Sequence, residues 1–139
     1  MYVEREILVG LLLGIQSYWD IKEQQIPLQV SFIGGMIGIL LSIFTGREIW
    51  DVILAVVPGF SLLIIGKVSK ESIGYGDGII ISILGLYYSL EEVWEICFCA
   101  FLFSAGIALV LLVLWKKKGN ETIPFIPFLL LGWFVNMWI

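Results

Sequence analysis

Long apolar blocks, separated by short polar or glycine- and proline-containing breaks, make up nearly all of this chain. A membrane-spanning helix needs about 20 mostly apolar residues, with about 17 as the lower end. On that measure the pattern predicts six spans, at 4–20, 28–45, 49–66, 77–92, 94–115 and 123–139, the fourth being the shortest. Pro58 followed by Gly59 predicts a bend inside the third span. The stretch from Gly34 to Gly38 and the run GIIISILG (78–85) predict close helix contacts, because small residues mediate helix packing in lipid. Trp19, Trp50, Trp94 and Trp115 fall near span ends, which suits anchoring at the membrane interface.

Composition supports this reading. The chain has 139 residues, 60% hydrophobic and 14% charged, with a mean hydropathy of +1.01, far from the soluble average. It reads as one all-α, polytopic membrane domain over 1–139 in contact with the lipid bilayer. The start, MYVEREIL, lacks the basic opening of a secretory signal, so the first span is expected to be retained. The charges are dispersed and form no basic face to follow phosphates, which argues against nucleic acid as a partner. Cys97 and Cys99 lie in the apolar run ICFCAFLF and the chain has no His, so buried packing is favoured over a metal site and no cofactor is expected.

Charge also orients the spans. The connections at 21–27, 67–76 and 116–122 carry Lys22, Lys67, Lys70, Lys116, Lys117 and Lys118. The termini and the turns near 46 and 93 carry only Arg5 and Arg47 among acidic residues such as Glu4, Glu6, Glu48, Glu91, Glu92 and Glu95. By the positive-inside rule the first group is cytoplasmic and both termini lie outside. Asp20 then ends the first span and Asp77 begins the fourth, so both acids are expected at the cytoplasmic membrane face.

Each acid alone has a modest explanation, Asp77 as a helix N-cap with Gly74 and Gly76 making the turn. Together they have a chemistry. Two carboxyl groups in one water-accessible pocket share a proton and titrate in two steps. The ionised member can take a proton from water while the protonated member donates to a scissile carbonyl. Gly74, Gly76 and Gly78 would leave room for a substrate strand. Without His no Ser-His or Cys-His relay is available, and no phosphate loop accompanies the acids. Proton coupling in a small non-proteolytic carrier, or an assembly role, is the alternative use of the same residues.

Three motifs carry a resemblance. They are DIKEQQIP (Asp20 to Pro27, with Ile26 before the proline), ESIGYGD (Glu71 to Asp77) and IPFIPFLLLG (Ile123 to Gly132, with Pro124 and Pro127). In order and spacing they resemble the type IV prepilin peptidases, bacterial GxGD-type intramembrane aspartyl proteases. The resemblance implies that Asp20 and Asp77 form a catalytic pair. It also implies cleavage, at the cytoplasmic face of the cell membrane, of the short basic leader from prepilin-like proteins whose next segment is an apolar helix. Glu71 either orients the GYGD turn or the basic leader or is a solvated loop acid; Ile26, Pro27, Pro124 and Pro127 are candidates to shape the site, the simpler reading of the three prolines being helix starts. Two positions depart from the family pattern: Ile79 stands where a basic residue is usual, and Leu28 where Asn is common. Larger relatives carry a cytoplasmic insertion with paired CxxC motifs and also methylate the new N-terminus. That insertion is absent here, so peptidase activity is expected, while methylation is left open with the balance against it.

Overall fold

The structure, a computed structural model, describes residues 2–68, 75–114 and 123–139. These form six α-helices: α1 (Tyr2–Glu23), α2 (Leu28–Phe44), α3 (Ile49–Val68), α4 (Tyr75–Tyr87), α5 (Leu90–Leu114) and α6 (Ile126–Trp138). Helices α3 and α5 are long and apolar enough to cross a membrane. The other four cover the remaining expected spans, but α4 and α6 have only 13 residues each, about 20 Å of helix, short of the roughly 30 Å hydrocarbon core of a bilayer.

The expected fourth and fifth spans need a corrected boundary, with the break at Tyr88 and Ser89 rather than near 93. Its cause is local. Ser89 and Glu92 form a reciprocal cap at the start of α5: the Ser89 amide donates to Glu92 Oε2 at 2.9 Å, and the Glu92 amide donates to Ser89 Oγ at 3.3 Å.

The surface inverts the distribution of a soluble bundle. On α2 the buried face is Ser31, Gly34, Gly38 and Ser42, while Phe32, Ile33, Met36, Ile39, Leu40 and Ile43 point outward. On α3 the buried residues are Ala55, Gly59 and Gly66, and Trp50, Leu54, Val57, Phe60 and Ile64 are exposed. On these two helices small residues face protein and large apolar ones face away from it, as expected where helix contact depends on close packing, whereas large side chains such as Leu13, Ile80, Leu84, Ile96 and Leu129 fill the core between the other helices.

Packing divides the bundle into two three-helix units. Helix α4 lies tightly against α3 and α2, and α6 lies against α5 and α1, whereas α1 and α4 meet only sparsely. Within the first unit, a Cβ on Gly59 would fall on the Ser82 backbone, one on Gly78 would meet the Gly59 carbonyl and Leu63, and one on Gly85 would fall on the Ala55 backbone. In the second, Gly132 sits over Ile96 and Ala100, and Gly10 sits under the Trp133 ring. The expected close packing of GIIISILG is therefore the α3–α4 contact, and Pro58 lies within a continuous helix.

Helix α4 ends early because the α2–α3 turn caps it. Gly46, at φ +68°, closes α2 in the left-handed conformation, with Arg47 N–H donating to Ser42 O and Gly46 N–H to Ile43 O. This turn places the Arg47 guanidinium under the C-terminus of α4, where it donates to the carbonyls of Gly85, Leu86 and Tyr88 and holds Asp51 at 3.0 Å. Ser42 Oγ adds a 2.6 Å bond to Leu86 O. Arg47→Met is expected to destabilise the fold by about 2 kcal/mol, the range for hydrogen bonds to a charged group, read as a fall in melting temperature in detergent. Lys at this position should recover only part of the loss, because one ammonium cannot fork across three carbonyls and a carboxylate.

Candidate active site

Asp20 lies in the last turn of α1. Its side chain is buried, and Oδ2 accepts a 3.1 Å hydrogen bond from the Ile126 amide. The Phe125 amide is a second backbone donor to the same carboxyl group. These amides belong to the start of α6, where the first N–H groups of a helix lack intrahelical acceptors. Pro124 immediately precedes this segment and Pro127 follows at the second helical position. Neither can donate, so the free amides at 125 and 126 are flanked by two residues without an N–H. The third sequence motif thus holds the acid of the first, across 106 residues of chain.

Helix α1 ends just beyond this acid. The Gln24 amide donates to Asp20 O at 3.0 Å, and Gln24 adopts φ 53°. That left-handed residue reverses the chain toward Pro27, which begins α2 as its N-cap and whose carbonyl accepts from the Ser31 amide at 3.1 Å. Ile26, between them, packs on Gly76: a Cβ there would lie 3.3 Å from Ile26 side-chain carbons. Ile26 of the first motif therefore sits directly on Gly76 of the second.

Asp77 lies in the first turn of α4. The residue is half-buried, and its carboxyl group is within electrostatic reach of Asp20. The two acids come from different units, Asp20 on the α1–α5–α6 side and Asp77 on the α2–α3–α4 side. Gly78 follows Asp77 and is pressed against Gly59 O and Leu63. The room expected for a substrate strand at Gly76 and Gly78 is taken, on the side where a Cβ would project, by Ile26 and by α3. Glu71 and Gly74 lie outside the described residues, as do Lys70, Trp115 and the lysines 116–118.

A buried polar stripe on α1 leads up to Asp20, and sequence reasoning missed it. Gln16 and Ser17 precede the acid by one turn and are buried, and Gln16 Nε2 donates to Ser31 Oγ at 2.8 Å. The available signal was the pattern QSYWD, with polar residues three and four positions before the acid on the same helical face. At the opposite end of the bundle Glu6 Oε2 accepts from Tyr88 Oη at 2.7 Å and Trp133 Nε1 at 3.0 Å. Arg5 pairs with Glu6 and covers the Tyr88 ring. An apolar cavity of about 400 Å³ between α3 and α5, lined by Pro58, Trp94 and Cys97 among others, contains neither acid. Among the described residues no three His, Cys, Asp or Glu side chains converge as a metal site.

No curated protein and no solved structure matches the chain. A family model does, that of the type IV leader peptidase family, over residues 7–114. The matched region contains Asp20, Ile26, Pro27 and the GYGD segment and stops before α6. With most of its length in that match, the chain belongs to the type IV leader peptidase family, a family of membrane-associated peptidases.

Proposed function

We propose that this protein is an intramembrane aspartic endopeptidase that removes the basic leader from type IV prepilin-like precursors at the cytoplasmic face of a bacterial cell membrane. The observation that carries the reading is that Asp20 and Asp77, from two separate motifs, lie within electrostatic reach of each other. The leader peptidase family supplies the reaction class.

Asp20, whose Oδ2 accepts from the Ile126 amide, acts as the general base. It takes a proton from the attacking water as the new C–O bond forms. Asp77 gives its proton to the scissile carbonyl oxygen, producing a geminal diol without a covalent enzyme adduct. Collapse of the diol returns one hydroxyl proton to Asp77 and breaks the C–N bond, and the leaving nitrogen takes the proton held by Asp20, so both acids regain their starting states. Ile26 packs on Gly76 next to Asp77, Pro27 starts α2, and Pro124 and Pro127 flank the Ile126 amide that holds Asp20.

The six helices form one membrane-embedded domain. Their outward-facing Phe, Ile, Leu and Val residues support a lipid-facing surface, and the lysine bias of the 21–27, 67–76 and 116–122 connections supports a cytoplasmic site. A thiol placed at Glu23, with both native cysteines replaced, is expected to react with reagents supplied to the cytoplasmic side and to resist impermeant reagents supplied outside. Labelling from outside would reverse the topology. The activity is tested by co-expression with a precursor bearing a short basic leader and an apolar helix. Leader loss, read as a gel shift and confirmed by N-terminal sequencing, is expected with this protein and not without it.

A further inference from the structure

The two helix units meet along a seam that is apolar at Val9, Leu12 and Leu13 and turns polar at Gln16 and Ser17. Gln16 is fully buried and Ser17 is 5% exposed. Among the described residues neither Gln16 Oε1 nor Ser17 Oγ has a hydrogen-bond partner. Burying a polar atom without a partner is unfavourable, and every such atom in a native core calls for a reason. Here the reason lies in position: both atoms sit one helical turn, about 6 Å, from Asp20 on the side facing away from the connections.

A peptide bond must be extended to be hydrolysed, which frees main-chain N–H and C=O groups from helical pairing. At membrane depth there is no bulk water to satisfy them, so the protein must. Gln16 Oε1 is a spare acceptor suited to an N–H. Ser17 Oγ–H is a spare donor suited to a C=O.

We infer that the seam between the α1–α5–α6 and α2–α3–α4 units receives the substrate chain, and that Gln16 and Ser17 bind the main chain of the residues just beyond the scissile bond. The inference rests on the peptidase reading and adds to it which part of the substrate is held, and by what. Asp20 faces the scissile bond near the end of α1. Gln16 and Ser17, deeper along the helix, meet the first turn of the apolar segment as it unwinds. The packing allows entry, since α1 and α4 touch only sparsely. The far end of the seam is tied by the 2.7 Å bond from Trp133 Nε1 to Tyr88 Oη and by the bonds of both side chains to Glu6. The units therefore part at the catalytic end, where the Gln16 Nε2–Ser31 Oγ bond is a tie that substrate entry opens.

The test uses the full-length protein in liposomes with a prepilin-like precursor, comparing wild type with Gln16→Met, Ser17→Ala and the double variant. Each single change is expected to raise KM about tenfold, the loss associated with one well-placed hydrogen bond, with kcat within about threefold and the melting temperature unchanged or higher. The double change is expected to raise KM further. A KM within twofold of wild type in the double variant would overturn the inference and leave the peptidase reading intact. So would a fall in melting temperature matched by a fall in kcat at constant KM, which is the signature of a purely structural pair. Absence of cleavage by wild type would remove the peptidase reading, and this inference with it.

Discussion

Asparagine at Asp77 is expected to reduce leader removal by about a thousandfold or more, and asparagine at Asp20 to do the same, within the range for losing a positioned general acid or base. The effects should not add, because each residue is half of one proton-sharing unit and either loss disables the whole. The two positions differ in what else they do. Asp20 is a structural acceptor for the start of α6, a bond that asparagine can still accept through its side-chain oxygen. Asp20→Asn should therefore keep the melting temperature while losing activity. Asp20→Ala should lose both, with about 1 kcal/mol of stability going with the missing cap. Among the described residues Asp77 is given no such hydrogen bond, so Asp77→Asn and Asp77→Ala should be alike in stability and alike in inactivity. Measuring initial rates and melting temperatures on the same preparations separates the roles. Cleavage by either asparagine variant at the wild-type rate would remove the catalytic pair and return proton coupling as the use of these acids.

What could be read from the chain was whatever local pattern or charge encodes. The apolar blocks located all six helices, and the glycine spacing of GIIISILG foretold a close helix contact without naming α3 as the partner. The α4–α5 boundary was also written in the chain, since SLEE carries a Ser with a Glu three residues on. It was passed over because the apolar run through Leu84, Tyr87 and Tyr88 continues across it and hydropathy cannot register a cap. Arg47 was read as an orientation charge. Its grip on the α4 carbonyls depends on the Gly46 turn and on two helices meeting in space. The hold of the α6 amides on Asp20 was equally out of reach, because its donors are backbone groups present at almost every residue and only the fold selects Phe125 and Ile126. Gly78 misled for a related reason. Glycine leaves space in a sequence, and only the structure says whether substrate or another helix fills it.

The α3–α4 contact sets the position of Asp77, and a single methyl group should disrupt it. In an exposed helix Gly→Ala stabilises by up to about 1 kcal/mol through propensity alone, and Gly14 and Gly106, with no neighbouring atoms within 4 Å, should follow that rule. Gly59 should reverse the sign. Its Cβ would fall on the Ser82 backbone, which cannot rotate away as a side chain can, so the helices must separate along their length. Overpacking of a tight core typically costs 1–3 kcal/mol and occasionally more. With backbone as the obstacle, Gly59→Ala is expected at about 3 kcal/mol, against a gain for Gly14→Ala made by the same chemical change. Activity should fall further than the loss of folded protein explains. The Gly59 carbonyl packs on Gly78, the residue after Asp77, so separating α3 from α4 moves one acid while α6 still holds the other. Melting temperature and specific activity for Gly14→Ala, Gly59→Ala and Gly106→Ala test this together. If Gly59→Ala is as stable and active as the other two, helices α3 and α4 do not cross this closely in the working enzyme.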